Sequence, residues 1–156
     1  NHNKTFVVYP RTDNPAGSTW KDQSNGFEYP LPATSNKYTA VPDVTPEFGV
    51  FDEAGFNEYG LSISATVSAT ANDKILAVDP YVENGLAESS MASIVLQNTK
   101  TAKEGVELLA KIVTEKGSAE GNIVVLADKE GIWYMEIFSN TFKCYPVNLN
   151  SRVINT

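Results

Sequence analysis

Few side chains in this sequence are equipped for nucleophilic or acid–base chemistry. It has one cysteine, Cys144, and one histidine, His2. A Ser-His-Asp or Cys-His site would need His2, which lies at a chain end where segments fray. Cys144 falls mid-strand between Lys143 and Tyr145. A nucleophilic thiol needs a partner base, so this setting reads as a buried structural cysteine. Acidic pairs occur at Glu53/Glu58 and Glu83/Glu88, but with 19 acidic against 12 basic residues such pairs read as solvated. What remains is a run of hydroxyls in Glu53–Thr66, EAGFNEYGLSISAT. With period two, Ser62, Ser64 and Thr66 share one strand face, and Leu61, Ile63 and Ala65 take the other. The apolar set is expected in the core and the hydroxyl set on a small polar floor.

The elements that must hold these residues follow from pattern. KTFVVYP at 4–10 reads as a short strand stopped by Pro10. Residues 11–50 are rich in Pro, Asn, Ser and Thr, with DNPAGS as a turn and FEYPLPAT and KYTAVPD as short extended pieces. Trp20, Phe27, Tyr29, Tyr38 and Phe48 are expected to pin that region onto the core. Gly55 to Gly60 reads as a turn, 59–68 as a strand, and ATANDKILAVDP as another turn with a short apolar piece. Met91, Ile94 and Val95 then fit a helical stripe from Leu86 to Leu96. Thr101 and Glu104 form a capping box, Ala102, Val106, Leu109 and Val113 an apolar face, and Gly117 a stop. Strands are expected at Asn122–Asp128, Ile132–Phe138 and Thr141–Val147, joined at hairpin length, with a last one starting at Arg152. Strands, two helices packed as a hairpin, then strands: this is an α+β layout with antiparallel sheet.

Composition bounds the rest. The 156 residues suggest one domain over 1–156. A net charge of −7 and the lack of a Lys/Arg cluster disfavour nucleic acid and anionic membrane surfaces as partners. No apolar run reaches spanning length and no signal peptide is visible. One cysteine excludes an internal disulfide and a multi-cysteine zinc site, and no HExxH, EF-hand or phosphate-loop spacing occurs.

Several blocks take the reading further by resemblance. KYTAVPD at 37–43, EAGFNEYGLSISAT at 53–66 and Asp79-Pro80-Tyr81-Val82-Glu83 resemble blocks of the C69 dipeptidases. So do TAKEGVELLAKIVTEKGSAEGN at 101–122 and ADKEGIWYMEI at 127–137, all in family order. The secernins are relatives, and NExGL also appears in bile-salt hydrolases and penicillin acylases. The resemblance is to peptidase family C69 within the N-terminal-nucleophile (Ntn) hydrolases, here of expected bacterial origin.

It implies an αββα sandwich: two antiparallel sheets face to face with helices outside. It also implies a cysteine dipeptidase acting on small peptides through a thioester acyl-enzyme, with no metal or organic cofactor. In that family the nucleophile is a cysteine made first by processing, and its α-amine, with a pKa near ~8, is the base. No histidine is then needed. Family members open with a Cys-Thr-rich strand, whereas NHNKTFVVYP resembles the segment just after it. The expected fold is therefore N-terminally incomplete and the chain alone inactive. Three explanations are open: a truncated or cleaved fragment, which is favoured and is expected to aggregate or form a homo-oligomer, a partner chain supplying the missing strands, or a degenerate non-catalytic relative. Two positions carry over. Thr66 falls near the polar oxyanion residue of related acylases, although the family usually reads ISATE where Val67 follows here. Asn155, in VINT, resembles an asparagine facing the nucleophile. Asn57, Asn122 and Asp128 read as turn and strand-end residues. The alternatives are an Ntn amidase on bile-acid or acyl-amide substrates, its acyl pocket lined by the aromatics of 20–48, and a non-catalytic binding domain on the same fold. The cytoplasm is the expected location, with secretion left open.

Overall fold

The computed structural model describes residues 4–43 and 51–148. Its centre is a seven-stranded sheet of β1 (Val7–Tyr9), β6 (Tyr38–Pro42), β7 (Asp52–Asn57), β8 (Ser62–Thr66), β9 (Asn122–Asp128), β10 (Gly131–Ile137) and β11 (Phe142–Val147). They lie in that order, and every pairing is antiparallel. Two ribbons form between β1 and β6: β2 (Thr12–Asp13) with β5 (Thr34–Ser35), and β3 (Thr19–Lys21) with β4 (Glu28–Pro30). The helices are α1 (Asp73–Leu76), α2 (Glu88–Asn98) and α3 (Ala102–Lys116).

The strands carry out their alternation. Ile63 and Ala65 of β8 are buried with Val124 and Leu126 of β9 and Met135 and Ile137 of β10, under α2 and α3. Ser64 and Thr66 face the other way and are exposed. Directly paired residues share a face, so Val8, Thr39, Phe56, Ser62, Ala127, Ile132 and Val147 form one row across that second face. Of the four layers of the expected sandwich, the described residues supply one large sheet and the helical layer on one side of it.

The helices show why they sit where they do. Thr101 Oγ1 accepts from the Glu104 N–H at 3.2 Å, as a capping box should. The reciprocal bond lands one residue early, on the Lys100 N–H at 2.8 Å. α3 is amphipathic, burying Ala102, Val106, Leu109 and Val113 as read, and it lies so close to β9 that a Cβ on Gly105 would meet Leu126 Cδ2 at 2.3 Å. α2 differs from a one-faced helix: Ser89 through Gln97 are all buried. The ribbons cover its outer side, through Trp20 Nε1 to Ser90 Oγ at 3.0 Å and Ser35 Oγ to Gln97 Oε1 at 3.0 Å. With Phe27 buried and Tyr9, Trp20 and Tyr29 packed against the core, the aromatics do pin this region; Phe48 lies outside the described residues.

Three local readings change. β7 continues to Asn57, so the turn is confined to Glu58–Gly60, with Gly60 at φ 84°. The helix α2 starts at Glu88 rather than Leu86, which instead bridges to Ser118. The segment after β8 contains the short helix α1, started by the Asn72 side chain accepting from the N–H groups of Lys74 and Ile75. The strand expected from Arg152 lies outside the described residues.

Candidate functional site

The end of β8 reached by Thr66 opens onto a cleft. Thr66 is exposed, and its hydroxyl is bonded to that of Ser68. The next residue, Val67, lines a cavity of about 300 Å³. Phe51 and Ala87 complete its apolar wall, and Asp43, Glu88 and Glu120 bring carboxylates, with Ser24 and Ser89 between them. The sheet supplies three of these residues from adjacent strand ends: Asp43 after β6, Phe51 before β7 and Val67 after β8. The Asp43 N–H donates to the Phe51 carbonyl at 2.9 Å and holds two of them together.

The opposite wall is the start of α2. Its N-cap, Ala87, has no side chain with which to accept. Glu120, in the segment between α3 and β9, does this by taking the Glu88 N–H on Oε1 at 2.8 Å, a charge-assisted cap at the positive helix end. Behind it, the buried Asp22 accepts from the Ser24 N–H at 2.8 Å and from the hydroxyls of Ser24, Ser89 and Ser90. Burial alone would raise the Asp22 carboxyl, but those bonds outweigh it and hold it below the usual carboxylate range. Among the described residues no donor bonds the Glu88 carboxyl in this way. Burial, and then the charges of Glu120, Glu53 and Asp43, raise its pKa from 4.5 to about 7.

A second buried carboxylate, Asp52, sits under the sheet. It accepts from Tyr9 at 3.0 Å, Tyr38 at 3.2 Å and Ser93 at 2.7 Å, while the two tyrosine rings stack at 4.4 Å. Burial, then the charge of Asp52, pushes Tyr9 up to about 12 and raises Tyr38 as well. Both phenols therefore stay protonated and act as donors here. Beside them is a cleft of about 240 Å³ lined by Tyr9, Trp20, Tyr38 and Gln97 among others. The aromatics of the 20–48 stretch thus contribute to this cleft, while among the described residues the first cavity takes Ser24 and Asp43 from it.

The other singled-out residues are placed as follows. Asn57 is buried in a structural role: its amide donates to the carbonyls of Leu96 and Thr99 at 3.1 and 2.7 Å, and its Oδ1 accepts from Tyr59 and Leu61. Asp128 accepts from the Ala102, Glu130 and Gly131 N–H groups, so it serves the hairpin turn and the start of α3. Asn122 is fully buried at the start of β9, and among the described residues its Oδ1 has no hydrogen-bond partner. Cys144 packs against the core opposite Met135, and among the described residues no side chain hydrogen-bonds its thiol. Glu53 pairs with Lys4, and Glu58 with Arg11 at 2.8 Å. His2 and Asn155 lie outside the described residues. Glu88 and Glu120 as a pair were not legible, because 32 residues separate them and only α3 and its turn bring them together. Among the described residues no group of three His, Cys, Asp or Glu side chains is arranged to hold a metal, and no helix is long and apolar enough to cross a membrane.

Comparison with known proteins gives consistent relatives. The model of peptidase family C69 matches residues 1–142. A probable dipeptidase B of Streptococcus pyogenes serotype M3 is 71% identical over 138 residues, which are 88% of this chain and 28% of that protein. A probable dipeptidase of Latilactobacillus sakei is 43% identical over 161 residues, covering 98% of this chain and 34% of that protein. The chain thus spans about a third or less of the curated relatives it matches. In fold it is similar to penicillin V acylase from Agrobacterium tumefaciens, at TM-score 0.55 and 22% identity, covering 92% of this chain and 41% of that one. A conjugated bile acid hydrolase variant from Clostridium perfringens gives TM-score 0.57 at 16% identity, with 95% and 44% covered.

Proposed function

Because the chain belongs to peptidase family C69, with the fold of the Ntn hydrolases, we propose that it forms part of a dipeptidase. The observation that carries this is the 71% identity to a probable dipeptidase B across 88% of the chain. The reaction proposed is hydrolysis of the peptide bond through a thioester acyl-enzyme. A cysteine thiolate attacks the carbonyl carbon, the amine product leaves with a proton, and water then cleaves the thioester. The nucleophile is a cysteine other than Cys144, whose core packing suits a structural role. Thr66 is proposed as a polar contributor near the developing oxyanion, supported by its exposed place at the strand end that leads into the cleft. Asn155 is proposed to face the same centre.

The exposed sheet face supports a further part of the reading. Phe56 and Val8, 51% and 58% exposed, lie in one row with Ser62 and Val147. Strands from elsewhere in the polypeptide or from another chain are proposed to cover it, with the catalytic centre formed where they meet β8. The aromatic cleft favours one second reading, an amidase that places an acyl group against Trp20 and Tyr38.

The test is an assay of the complete gene product, and of its nucleophile Cys→Ala variant, on dipeptides and acyl-amides with EDTA present. Dipeptide turnover that survives EDTA and is lost in the variant is expected. Activity abolished by EDTA, or untouched by the cysteine change, would refute the proposal. Acyl-amide turnover far above dipeptide turnover would favour the amidase.

A further inference from the structure

The cavity at the end of β8 has two unlike walls. One is apolar, with Val67 56% exposed and Phe51 beside it. The other is anionic, with Glu88 and Glu120 facing across the start of α2. Its volume, about 300 Å³, is at the small end of ligand pockets and suits one amino-acid residue better than a long peptide.

A free peptide amino terminus has the same two-part character. Its ammonium carries three N–H donors and one charge, and its side chain leaves from the adjacent carbon. Glu120 is a well-oriented acceptor, because the Glu88 N–H fixes one of its oxygens at 2.8 Å. Glu88 lies among like charges from Glu120, Glu53 and Asp43, so an entering cation relieves repulsion that is already present. The helix end opposes this with about half a positive charge, which is less than the full negative charge of the Glu120 carboxylate.

We propose that this cavity is the subsite for the amino-terminal residue of the substrate: Glu88 and Glu120 receive the α-ammonium, and Val67 and Phe51 receive an apolar side chain. Val67 is then a specificity-determining residue. This rests on the dipeptidase reading. It requires a free amine, and it directs the enzyme to peptides with an apolar first residue.

The experiment uses the complete gene product with leucyl-alanine, lysyl-alanine, glutamyl-alanine and N-acetyl-leucyl-alanine. Leucyl-alanine is expected to exceed glutamyl-alanine in kcat/KM by at least about tenfold, the scale of one side-chain contact, and the acetylated peptide to fall further. V67E, at an exposed position, is expected to lower the leucyl-to-lysyl ratio by about tenfold or more. V67T, isosteric and uncharged, is expected to change the ratio less. E120Q keeps an acceptor for the Glu88 N–H, removes the charge and should raise KM more than it lowers kcat. Equal turnover of free and acetylated peptide would overturn the ammonium assignment. A ratio unmoved by V67E in a protein that melts like the wild type would overturn the side-chain assignment. If no dipeptide is hydrolysed, the dipeptidase reading itself has failed. Calorimetric binding of leucyl-alanine then decides the subsite: binding weakened by V67E and E120Q supports it, and no binding overturns it.

Discussion

Replacing Glu88 by glutamine tests the electrostatics of the cleft without reference to catalysis. The carboxyl is raised from 4.5 to about 7, first by burial and then by Glu120, Glu53 and Asp43. A folded-state pKa above the unfolded one means that the folded protein holds the extra proton between those values. Stability from this group is therefore complete below about pH 4.5 and declines as pH rises through 7. A rise from 4.5 to about 7 corresponds to a ceiling of about 3.4 kcal/mol. Glu88 is only half-buried, so solvent screening reduces the expected effect to about 1–2 kcal/mol. The E88Q variant cannot ionise, yet its backbone N–H still reaches Glu120. It should melt with the wild type near pH 4.5 and above it at pH 8.5. In a protein of this size each kcal/mol is worth about 2–4 °C of Tm. Since burial is the first cause, added salt should remove only the part due to neighbouring charges. Thermal melts followed by circular dichroism across pH 4.5–8.5 read this directly. An E88Q gain that is the same at both ends, or a loss at pH 8.5, would refute the reasoning.

Asp22 has the opposite sign. Its carboxyl is held low in spite of burial, so its contribution is present above the usual carboxylate range and is lost as pH falls through its lowered value. D22N should flatten the acid limb of the stability curve, and D22A, leaving the bonded hydroxyls of Ser24, Ser89 and Ser90 without their acceptor, should cost about 2–4 kcal/mol by urea denaturation. Asn57 ties the β7–β8 turn to the end of α2, with two bonds to the carbonyls of Leu96 and Thr99 and two from the turn's own Tyr59 and Leu61 N–H groups. N57A should cost about 2–4 kcal/mol, and N57D at least as much because a carboxylate would face two carbonyls. A cost below about 1 kcal/mol for N57A would mean that the turn holds without it.

Local rules account well for what the chain alone determines. The capping box at Thr101, the stop at Gly117 and the period-two run in β8 name α3 and the strand, and even which face of β8 is buried, because these depend on residues a few positions apart. The blocks that resemble family C69 are legible for the same reason, since they are contiguous. Tertiary structure decided the rest. Nothing local says that α2 is enclosed by ribbons on its outer side, so a buried Ser89, Ser90 and Ser93 look like surface residues until Asp22 and Asp52 arrive from elsewhere. Nothing local pairs Glu88 with Glu120 or sets Val67 and Phe51 across from them. A carboxylate's pKa depends on what lies within a few ångströms of it, and those neighbours come from strand ends and a helix start far apart in the chain. The fold was therefore written in short-range pattern, while the chemistry of the cleft arose only when distant segments met.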